Sequence, residues 1–594
     1  MLFISCGLPI AAQDFETLRP EDYPVGEVLP AFTTQLKLAK GQTLENTDII
    51  VEYPEYTKLS SKEIKTLKKL GIELPERVNL HTCFATERKR GVVEVSFHPF
   101  LKKDGDYIRL TSVRVSAKPK ATLYNETPRS ERKRYAENSV LASGKWVKIS
   151  VTKEGVYQIT PALIKEWGFE DINRIKVYGY GGLPQDKKLF GGTTEPIDDL
   201  NEVSTLRVGD KILFFAEGVV KRTWNNSSKR WKHETNPYSK SSYYFVTEGE
   251  APLTLQEDNA IATSTVVSEV SSHALYDEDS FAWYEGGKEF YDAYNPASVN
   301  TKTYTLATPD AINTDASLEL SFSAYNKLSS TEVMVTSGEK TLGRFNIRYC
   351  RDHEYAIDKR QNYTLTTSGA TTPIKFTTTQ GRDARLNYLS LTYKRKLTAN
   401  GDAYTFVPTP ISSSAIKLQI EGATNATQVW RINEATKAIT KCSSQLTDGT
   451  LTTIATNGKD RYVIVNTDAN FATPALVGKV ENQNLHAHGA VHMVIIVPES
   501  GIFDAEAKRL AEAHELYSKL NVEVVRQDQI FNEFGSGTPD ATALRRYMKM
   551  LYDRAESEGD IPRYLLLFGD GLLDNRMLSY KGRNPDNYLL CYES

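Results

Sequence analysis

The strongest constraint on the fold of this chain is a change of pattern near residue 491. Residues 491–497 (VHMVIIV) form a continuous apolar run, which is typical of a strand that is buried on both faces of a sheet. Four further segments follow this run or lie beyond it. Residues 503–520 and 539–554 have the apolar spacing of helices, and 522–525 and 564–568 have the apolar pattern of strands. Buried strands that alternate with helices predict a parallel, right-handed α/β sheet.

Two amphipathic helices are predicted from spacing and capping residues. In 503–520, helical spacing places five side chains on one buried stripe: Ala507, Leu510, Ala511, His514 and Tyr517. Nearer the amino terminus, 60–70 (SSKEIKTLKKL) is predicted to be a helix, with Ser60 or Ser61 as its N-cap and Gly71 as its end.

Upstream of the α/β segment the pattern is that of β-structure. Thr-rich strand candidates separated by turn residues fill about 271–480, and such short strands without helices predict a β-sandwich. Residues 145–151 alternate between apolar and polar, and 156–159 resume the pattern after a short polar turn, which predicts a β-hairpin. The expected fold class is therefore a multidomain, mostly β protein with β-sandwich-like domains, followed by a parallel α/β segment.

The length of 594 residues corresponds to about four domains at roughly 150 residues each. We expect a leader, a mixed α/β-rich prodomain-like region, a β-rich domain, a β-sandwich domain and the α/β segment. Their expected bounds are 1–13, 14–140, 141–270, 271–480 and 486–594. A polar and basic stretch at 125–138 is expected to be a solvated linker, and a protease-sensitive boundary is the alternative.

Charge and cysteine content exclude several classes of protein. The chain has 72 Lys and Arg against 75 Asp and Glu, so it lacks the net positive charge of a dedicated nucleic-acid binder. Its five cysteines are scattered without a CxxC pair, which excludes a dense disulfide framework and offers no short metal-ligand spacing. No cofactor is expected, and a structural calcium ion stays open.

The first residues, MLFISCGLPIAAQD, form a short apolar stretch that closes on small residues. This stretch resembles the apolar region and cleavage site of a secretory signal, although the basic start is missing. A buried first strand is the alternative. No other stretch approaches the roughly 20 apolar residues that a membrane span needs. We therefore expect an exported protein that is held at a membrane only through partners.

Chemistry in an open α/β sheet is expected beyond the carboxyl ends of the strands. Gly569-Asp570-Gly571 occupies that place, and Asp570 could hold a base, bind a cation or orient a partner. The alternative is that Asp570 accepts hydrogen bonds from loop amides, so no catalytic residue is assigned and Asp570 is kept only as a weak candidate for an auxiliary role. His486, His488 and His492 share parity around the first strand, but they lie at its start, and no metal ligand is assigned.

Two other motifs have alternative interpretations. The glycine-rich run 178–184 (YGYGGLP) could cradle a phosphate, but it lacks the Lys-Ser/Thr of a P-loop and is predicted to be a turn. An aromatic cluster at 281–294 could be a platform for carbohydrate stacking, and we favour a packing seam between domains.

A family resemblance rests on two consecutive segments. Residues 525–555 (VRQDQIFNEFGSGTPDATALRRYMKMLYDRA) and 561–575 (IPRYLLLFGDGLLDN) resemble the first half of a gingipain-type (C25) cysteine peptidase domain. Upstream, residues 144–159, the YGYGGLP turn, the KILFFAEG strand and 236–246 (NPYSKSSYYFV) resemble the members of this family that act as sortases of the type IX secretion system of Bacteroidota. The resemblance covers the chain from about residue 144 onward.

The resemblance implies an exported cysteine peptidase at the outer-membrane surface. Its implied partners are the C-terminal signal domains of secreted cargo, anionic lipopolysaccharide, and an outer-membrane barrel with other secretion-system subunits. It would remove the signal domain and pass the cargo through a thioester to an amine on the lipopolysaccharide. That chemistry needs a cysteine thiolate, a histidine that moves protons and amide donors for the oxyanion.

The family places its catalytic His and Cys after later strands of the domain. Only 24 residues follow Asp570 and none of them is His, while Cys591 lacks both the nucleophile context of the family and a nearby histidine. We therefore expect the α/β segment to be the first half of a peptidase domain, truncated before the catalytic pair, and this chain alone to be inactive. The alternative is a non-catalytic β-rich surface adhesin or secretion-assembly subunit.

Overall fold

The computed structural model describes residues 15–26, 29–38, 47–87, 90–119, 135–189, 197–258, 263, 265–284, 286–294, 299–367, 369–379, 383–409, 414–579 and 586–593. The predicted leader and most of the predicted basic linker lie outside these residues. The chain divides into two compact units, residues 1–130 with 556–561 and residues 131–555 with 562–594. No helix of the described residues has both the length and the hydropathy that a membrane span requires.

The first unit is built from two antiparallel sheets and one helix. Its elements are β1 (Glu16–Thr17), β2 (Phe32–Lys37), β3 (Thr47–Lys58), α1 (Ser61–Leu70), β4 (His81–Glu87), β5 (Arg90–Phe97), β6 (Phe100–Lys103) and β7 (Asp106–Pro119), with a 3-10 turn at Glu558–Asp560. The sheet orders are β1-β7-β3, with β6 also on β7, and β2-β5-β4. The predicted helix is confirmed, because Ser60 caps α1 and Gly71 ends it at φ 66°.

The second unit begins with a long β-rich part. Its strands are β8 (Trp146–Val151), β9 (Gly155–Ile159), β10 (Ile175–Tyr178), β11 (Leu206–Val208), β12 (Lys211–Ala216), β13 (Val220–Asn225), β14 (Arg230–Thr235), β15 (Ser242–Glu248), β16 (Gln256–Glu257), β17 (Val266–Val267), β18 (Glu269–Asp277), β19 (Thr301–Ala307), β20 (Thr314–Tyr325), β21 (Thr331–Ser337), β22 (Lys340–Ile347), β23 (Ile357–Thr367), β24 (Thr371–Thr378), β25 (Asp383–Lys396), β26 (Ala403–Phe406), β27 (Ile416–Glu421), β28 (Thr427–Ile432), β29 (Ile439–Lys441), β30 (Ser444–Thr447), β31 (Thr450–Ala455), β32 (Arg461–Asn466) and β33 (Ala475–Val480). One helix, α2 (Pro161–Glu166), and 3-10 turns at Val140–Ala142, Ile172–Arg174 and Leu485–Ala487 complete this part.

These strands form face-to-face sheets, as the β-sandwich prediction requires. Sheets β10-β15-β8-β33 and β11-β12-β9 enclose the first core. Sheets β18-β25-β20-β23 and β19-β24-β21-β22 enclose a second core, around Leu318, Phe322 and Phe376. Sheets β16-β29-β28-β32-β26 and β17-β27-β31-β30 enclose a third, around Leu418 and Tyr462. The mostly β fold class is confirmed, and the domain boundaries given above stay predictions.

The predicted parallel α/β segment is confirmed. It contains β34 (Met493–Val497), α3 (Asp504–Ala513), a π-helical turn (His514–Ser518), β35 (Val522–Arg526), α4 (Gln527–Phe534), α5 (Ala541–Arg554), β36 (Tyr564–Leu567), β37 (Asp570–Gly571) and β38 (Tyr588–Leu589). The three main strands are parallel in the order β35-β34-β36. Helices α4 and α5 pack on one face and α3 packs on the other, so β34 is buried on both faces.

The predicted hairpin at 145–159 is wrong. Strand β8 pairs with β15 and β33, whereas β9 pairs with β12, so the two strands belong to different sheets. The turn between them carries the chain from one layer of the sandwich to the other. The physical reason is burial, because both strands are covered on both faces and cannot share one half-exposed ribbon.

Two other expectations in the α/β segment are corrected. The helix predicted at 503–520 changes at His514 to a π-helical turn, and Tyr517 points to solvent with 81 % of its surface exposed. A wider turn shifts the phase of the stripe, so only its first part faces the sheet. Strand β36 is not buried, since Leu565 and Leu567 remain 47 % and 49 % exposed at the edge of the sheet.

Candidate functional site at the carboxyl edge of the parallel sheet

In the sheet order β35-β34-β36, the chain adds β35 on one side of β34 and then β36 on the other side. Ligands of open α/β sheets bind outside the carboxyl ends of the strands, at the point where the strand order changes direction in this way. Three loops meet there. Pro498 and Glu499 follow β34, Gln527 and Asp528 begin α4 directly after β35, and Gly569-Asp570 follows β36. The residues on these loops are therefore the candidates for binding or catalysis.

Asp570 is occupied by its own loop. Its backbone N–H donates to Asn587 O at 2.8 Å, and its Oδ1 accepts from the N–H of Gly571 at 2.9 Å. Asp570 and Gly571 pair in parallel with Tyr588 and Leu589. The carboxylate is exposed, and its observed contact is the loop-amide contact of the alternative interpretation. An auxiliary role of Asp570 stays a prediction.

A strand segment, 586–593, crosses this edge and is held by side-chain amides. The Gln527 amide donates to Tyr588 O at 3.1 Å and accepts from the N–H of Leu590 at 3.1 Å. The Asn575 amide accepts from the N–H of Cys591 at 2.8 Å and donates to its carbonyl at 3.0 Å. Both amides therefore bind the backbone in the way that a neighbouring strand would.

Glycines allow the close approach of this segment. A Cβ at Gly571 would lie 2.6 Å from Cys591 Sγ, and a Cβ at Gly569 would lie 2.9 Å from Asn587 O. The Cys591 thiol thus packs directly on the Gly571 backbone. No cysteine of the described residues has an imidazole as a hydrogen-bond partner, since each described His–acceptor contact goes to another group.

Asp574 is the buried acid of this loop. It is fully buried, and its Oδ2 accepts from the N–H and hydroxyl of Ser579 at 2.6 and 2.8 Å. A methyl group at Gly286 would overlap Asp574, and Arg576 pairs with Asp279 at 2.5 Å while its guanidinium lies 4.9 Å from the Phe290 ring. These contacts pack the loop against the aromatic cluster, as a packing seam requires, and the seam between domains stays a prediction.

A charged cluster that the sequence does not reveal lies beside the β34 and β35 loops. Lys148 Nζ donates to Asn532 Oδ1 at 3.0 Å and lies 4.6 Å from the Tyr243 ring centroid. Burial lowers the pKa of Lys148 to about 8, although the negative charges of Glu499 and Asp528 oppose this shift. Burial raises the pKa of Asp528, and Glu499 raises it further. No periodicity marks Lys148, which sits at an ordinary position of an alternating strand.

The three histidines around the first strand, His486, His488 and His492, have different hydrogen-bond partners. His486 is fully buried, with Nδ1 2.5 Å from Glu533 Oε2 and Nε2 3.3 Å from Asp198 Oδ1. Burial lowers the pKa of His486, but the hydrogen bonds to Asp198 and Glu533 outweigh it and raise the pKa to about 9. His488 Nδ1 contacts the Tyr547 hydroxyl at 2.7 Å.

His492 completes the set, with Nδ1 accepting from the N–H of Asn521 at 2.8 Å. Because these partners are separate, the three rings do not converge on one point. The described residues contain no group of three His, Cys, Asp or Glu side chains that could hold a metal ion.

The glycine-rich run 178–184 is a packing turn. The N–H of Tyr180 donates to Ser536 Oγ at 2.9 Å, and the N–H of Gly182 donates to Ser242 Oγ at 3.0 Å. Gly181 has φ 82° and lies against Glu217, where a side chain would overlap. The amides that a phosphate would need are thus already used, in agreement with the predicted turn.

Comparison with known proteins supports the same region. Residues 486–593 match the model of peptidase family C25. A search of curated proteins gives no match. Dimeric latent PorU from Porphyromonas gingivalis matches with a TM-score of 0.67 and 24 % identity, over 77 % of this chain and 45 % of that chain. The chain thus spans less than half the length of that protein.

A second solved structure is much less similar. A β-porphyranase of glycoside hydrolase family 86 from the human gut bacterium Bacteroides plebeius matches with a TM-score of 0.16 and 7 % identity, over 50 % of this chain and 45 % of that chain. This value is too low to indicate a common fold. Residues 486–593 are therefore similar to the C25 peptidases, within a chain that shares the fold of PorU over most of its length.

Proposed function

We propose that this chain serves an exported cysteine peptidase of the sortase type in a type IX secretion system. The observation that carries the proposal is the union of a C25-type parallel α/β segment with a β-rich body that has the fold of PorU. In this proposal the β-rich body positions cargo and partners, and the carboxyl edge of the parallel sheet is the side of the reaction centre.

The proposed reaction has two acyl-transfer steps. A cysteine thiolate attacks the carbonyl before the C-terminal signal domain, the C–S bond forms as the C–N bond breaks, and an imidazolium gives its proton to the leaving amine. An amine on anionic lipopolysaccharide then attacks the thioester and gives its proton to the neutral imidazole; the C–N bond forms as the C–S bond breaks, which releases the thiolate and leaves the cargo joined by an amide bond. Backbone N–H groups stabilise the oxyanion in both steps.

The described residues supply the parallel sheet on which this reaction would take place, but no cysteine among them is paired with a histidine. Cys442 is buried, and burial raises the pKa of its thiol to about 12, so that its thiolate is scarce at neutral pH. Cys591 packs on Gly571 without an imidazole partner among the described residues. We therefore infer that the 594-residue chain alone binds cargo without cutting it.

The proposed setting is the outer-membrane surface, where the chain is peripheral. Its proposed partners are the C-terminal signal domains of cargo, anionic lipopolysaccharide, and an outer-membrane barrel with other secretion-system subunits. The two acyl-transfer steps need only protein groups and the acceptor amine, so we propose no cofactor, and a structural calcium ion stays open.

The test is a binding and cleavage assay with a reporter protein fused to an isolated C-terminal signal domain. We expect saturable binding by the purified chain and no cleavage by mass spectrometry. Lack of binding would contradict the cargo role. Cleavage that Cys591→Ala abolishes, while the control Cys83→Ala leaves it unchanged, would contradict the inferred inactivity of this chain.

Sequencing of the gene past the codon of Ser594 separates the two functional classes. A continuing frame with a His-Gly segment and a later cysteine supports the peptidase. A stop codon supports the alternative, a non-catalytic β-rich surface adhesin or secretion-assembly subunit.

A further inference from the structure

The hairpin formed by β13 and β14 carries a concentration of positive charge that the neutral balance of the whole chain hides. Residues 218–235 contain five basic side chains and one carboxylate, Glu234. Whole-chain charge thus predicts nothing about this surface, because a local field depends on the charges within about a Debye length, roughly 8–10 Å.

The two faces of this hairpin have different roles. The antiparallel register pairs Trp224 with Trp231 and Arg222 with His233 on one face. Trp231 anchors that face to the second sandwich, because its N–H donates to Thr392 Oγ1 at 3.0 Å and its indole N–H donates to Ser271 O at 2.8 Å. The inner face is therefore pinned, and the outer face is held in a defined orientation.

The outer face is basic. Lys232 lies opposite Thr223, Arg230 opposite Asn225, and Lys221 opposite Glu234, while Lys229 occupies the turn. We call these four side chains, Lys221, Lys229, Arg230 and Lys232, the basic hairpin face. The three lysines are exposed, and no carboxylate of the residues that the structure describes lies within ion-pair distance of them.

The sandwich beside the hairpin adds to this charge. Arg230 donates to Asn362 Oδ1 on β23, which places the hairpin next to that strand. Arg360, two residues before Asn362 and exposed, lies on the same side of β23. Burial lowers the pKa of His233 to about 4; the negative charges of Glu319 and Glu289 oppose this shift, and the positive charges of Arg222 and Arg360 favour it.

The chemistry between the cations selects the kind of polyanion. Thr223, Asn225, Asn226, Ser227 and Ser228 lie among the basic side chains and offer hydroxyl and amide groups, which suit the hydroxyl groups of a sugar. No large apolar side chain of the described residues 218–241 is exposed, so this surface lacks the apolar anchors that insert into a bilayer.

We propose that the basic hairpin face is a docking surface for an anionic polysaccharide. Its cations bind the acidic substituents of the polymer, and the polar side chains between them contact its hydroxyl groups. This inference goes beyond the peptidase chemistry and does not depend on it, although a polysaccharide held here would serve the acceptor role that the proposed function requires.

The test measures binding of the full chain to dextran sulfate, to neutral dextran of the same length, to a DNA duplex and to vesicles of phosphatidylglycerol. We expect binding to dextran sulfate that weakens with salt, as screening demands. The triple variant Lys221→Gln, Lys229→Gln and Lys232→Gln should lose about tenfold or more in affinity. The control triple Lys327→Gln, Lys340→Gln and Lys459→Gln removes the same charge from other exposed positions and should lose about twofold or less.

Four outcomes would overturn the proposal. They are no binding to dextran sulfate, equal binding to neutral dextran, equal losses in the two triple variants, or a loss that the hairpin variant shows only for DNA or for vesicles. Equal melting temperatures of the two variants exclude misfolding as the cause of a difference. Failure of this test leaves the cargo-binding assay untouched, so the two proposals fail separately.

Discussion

The buried ring of His486 lies between two carboxylates, and its charge makes stability depend on pH. The pKa of His486 is about 9 in the folded protein, against about 6.5 in an unfolded chain. A raised folded pKa stabilises the fold below the unfolded value, and this stability is lost as the pH rises through the folded value. We expect the free energy of unfolding to fall by about 2–3 kcal/mol between pH 6.5 and pH 10.

The variant His486→Gln isolates this contribution. The amide cannot titrate, so we expect the difference between wild type and variant to be largest at pH 6 and to vanish near pH 10. Urea denaturation at both values measures it. A difference that stays constant with pH would show that the ring contributes packing on Phe534 rather than charge.

The contact between Gly571 and Cys591 predicts a steric coupling. Gly571→Ala places a methyl group against Cys591 Sγ, so we expect a loss of about 1–3 kcal/mol in the free energy of unfolding. Cys591→Ala removes the sulfur and should recover most of that loss in the double variant. Gly489→Ala is the matched control, since nothing lies within 4 Å of a Cβ there. Additive effects in the double-mutant cycle would refute the contact.

Single residues were predicted unevenly from the sequence. Ser60 and Gly71 follow from local capping chemistry, and the turn at 178–184 follows from its glycines. Lys148 does not, because its low pKa arises from burial, and the groups that surround it, Asn532, Glu499 and Asp528, are more than 350 residues away in the chain. Only tertiary structure creates such a site.

Among the elements, strand β36 is the one whose environment differs most from its sequence. Its apolar side chains Leu565 and Leu567 are half exposed at a sheet edge, and such edges promote association. We expect Leu565→Lys and Leu567→Lys to lower light scattering at high concentration, with a stability change of less than about 1 kcal/mol. Leu566→Lys is the control and should cost about 2–4 kcal/mol, because Leu566 packs against the core under α3. Unchanged scattering would exclude this edge as the contact.

The π-helical turn predicts which tyrosine matters for stability. Tyr517 is 81 % exposed, whereas Tyr547 on α5 is fully buried. We expect Tyr517→Ala to change the free energy of unfolding by about 0.5 kcal/mol or less and Tyr547→Ala to lower it by about 3–5 kcal/mol. Thermal denaturation of the two variants compares them. A large effect of Tyr517→Ala would contradict the π-helical turn and support the straight helix that was predicted from the spacing.

Elements were predicted well where periodicity and caps act alone. The strand β34 and the helices α1 and α5 follow from local pattern. Pairing was not predicted, because alternation shows that β8 and β9 are strands without showing which strands lie beside them. The exposure of β36 was missed for the same reason. An apolar run indicates that its side chains favour burial, but it does not show which element would cover them.

At the scale of the whole molecule, Arg461 joins the first β-rich sheets to the third sandwich. It pairs with Glu154 at 2.8 Å and also with Glu217 and Glu434. Burial raises the pKa of Glu217, but Arg461 and Lys437 outweigh it and lower the pKa to about 2. The ionised Glu217 carboxylate therefore stabilises the fold above about pH 4.3, and this stabilisation is lost as the pH falls toward 2.

Arg461→Leu leaves the buried Glu217 without its main counter-charge, and we expect a loss of about 3–5 kcal/mol at pH 7. The loss should shrink below pH 4, where the carboxyl of the variant is neutral. Arg344→Leu is the control, because its exposed pair with Glu332 should contribute about 1 kcal/mol or less. Chemical denaturation at pH 7 and pH 3.5 measures both, and equal effects would contradict the role of Arg461 as a link.

The overall architecture was predictable because its two parts follow different periodicities. Continuous apolar strands with intervening helices identify the α/β segment, and Thr-rich alternation identifies the β-rich body. The candidate site was only partly predictable. Its place at the carboxyl edge follows from topology, whereas the roles of Gln527 and Asn575 depend on a segment, 586–593, whose path no local pattern encodes.

The side-chain amides of Gln527 and Asn575 hold main-chain atoms of residues 588–591, and Asn575 also donates to the Glu593 carboxylate at 2.8 Å. At residue 590 mutational tolerance should therefore follow main-chain chemistry: most replacements at Leu590 keep the hydrogen bond to Gln527, whereas proline at 590 or 591 deletes a bonded N–H and releases the segment. Replacements at Leu589 should be tolerated less well than those at Leu590, because the Leu589 side chain packs in the core of the parallel sheet.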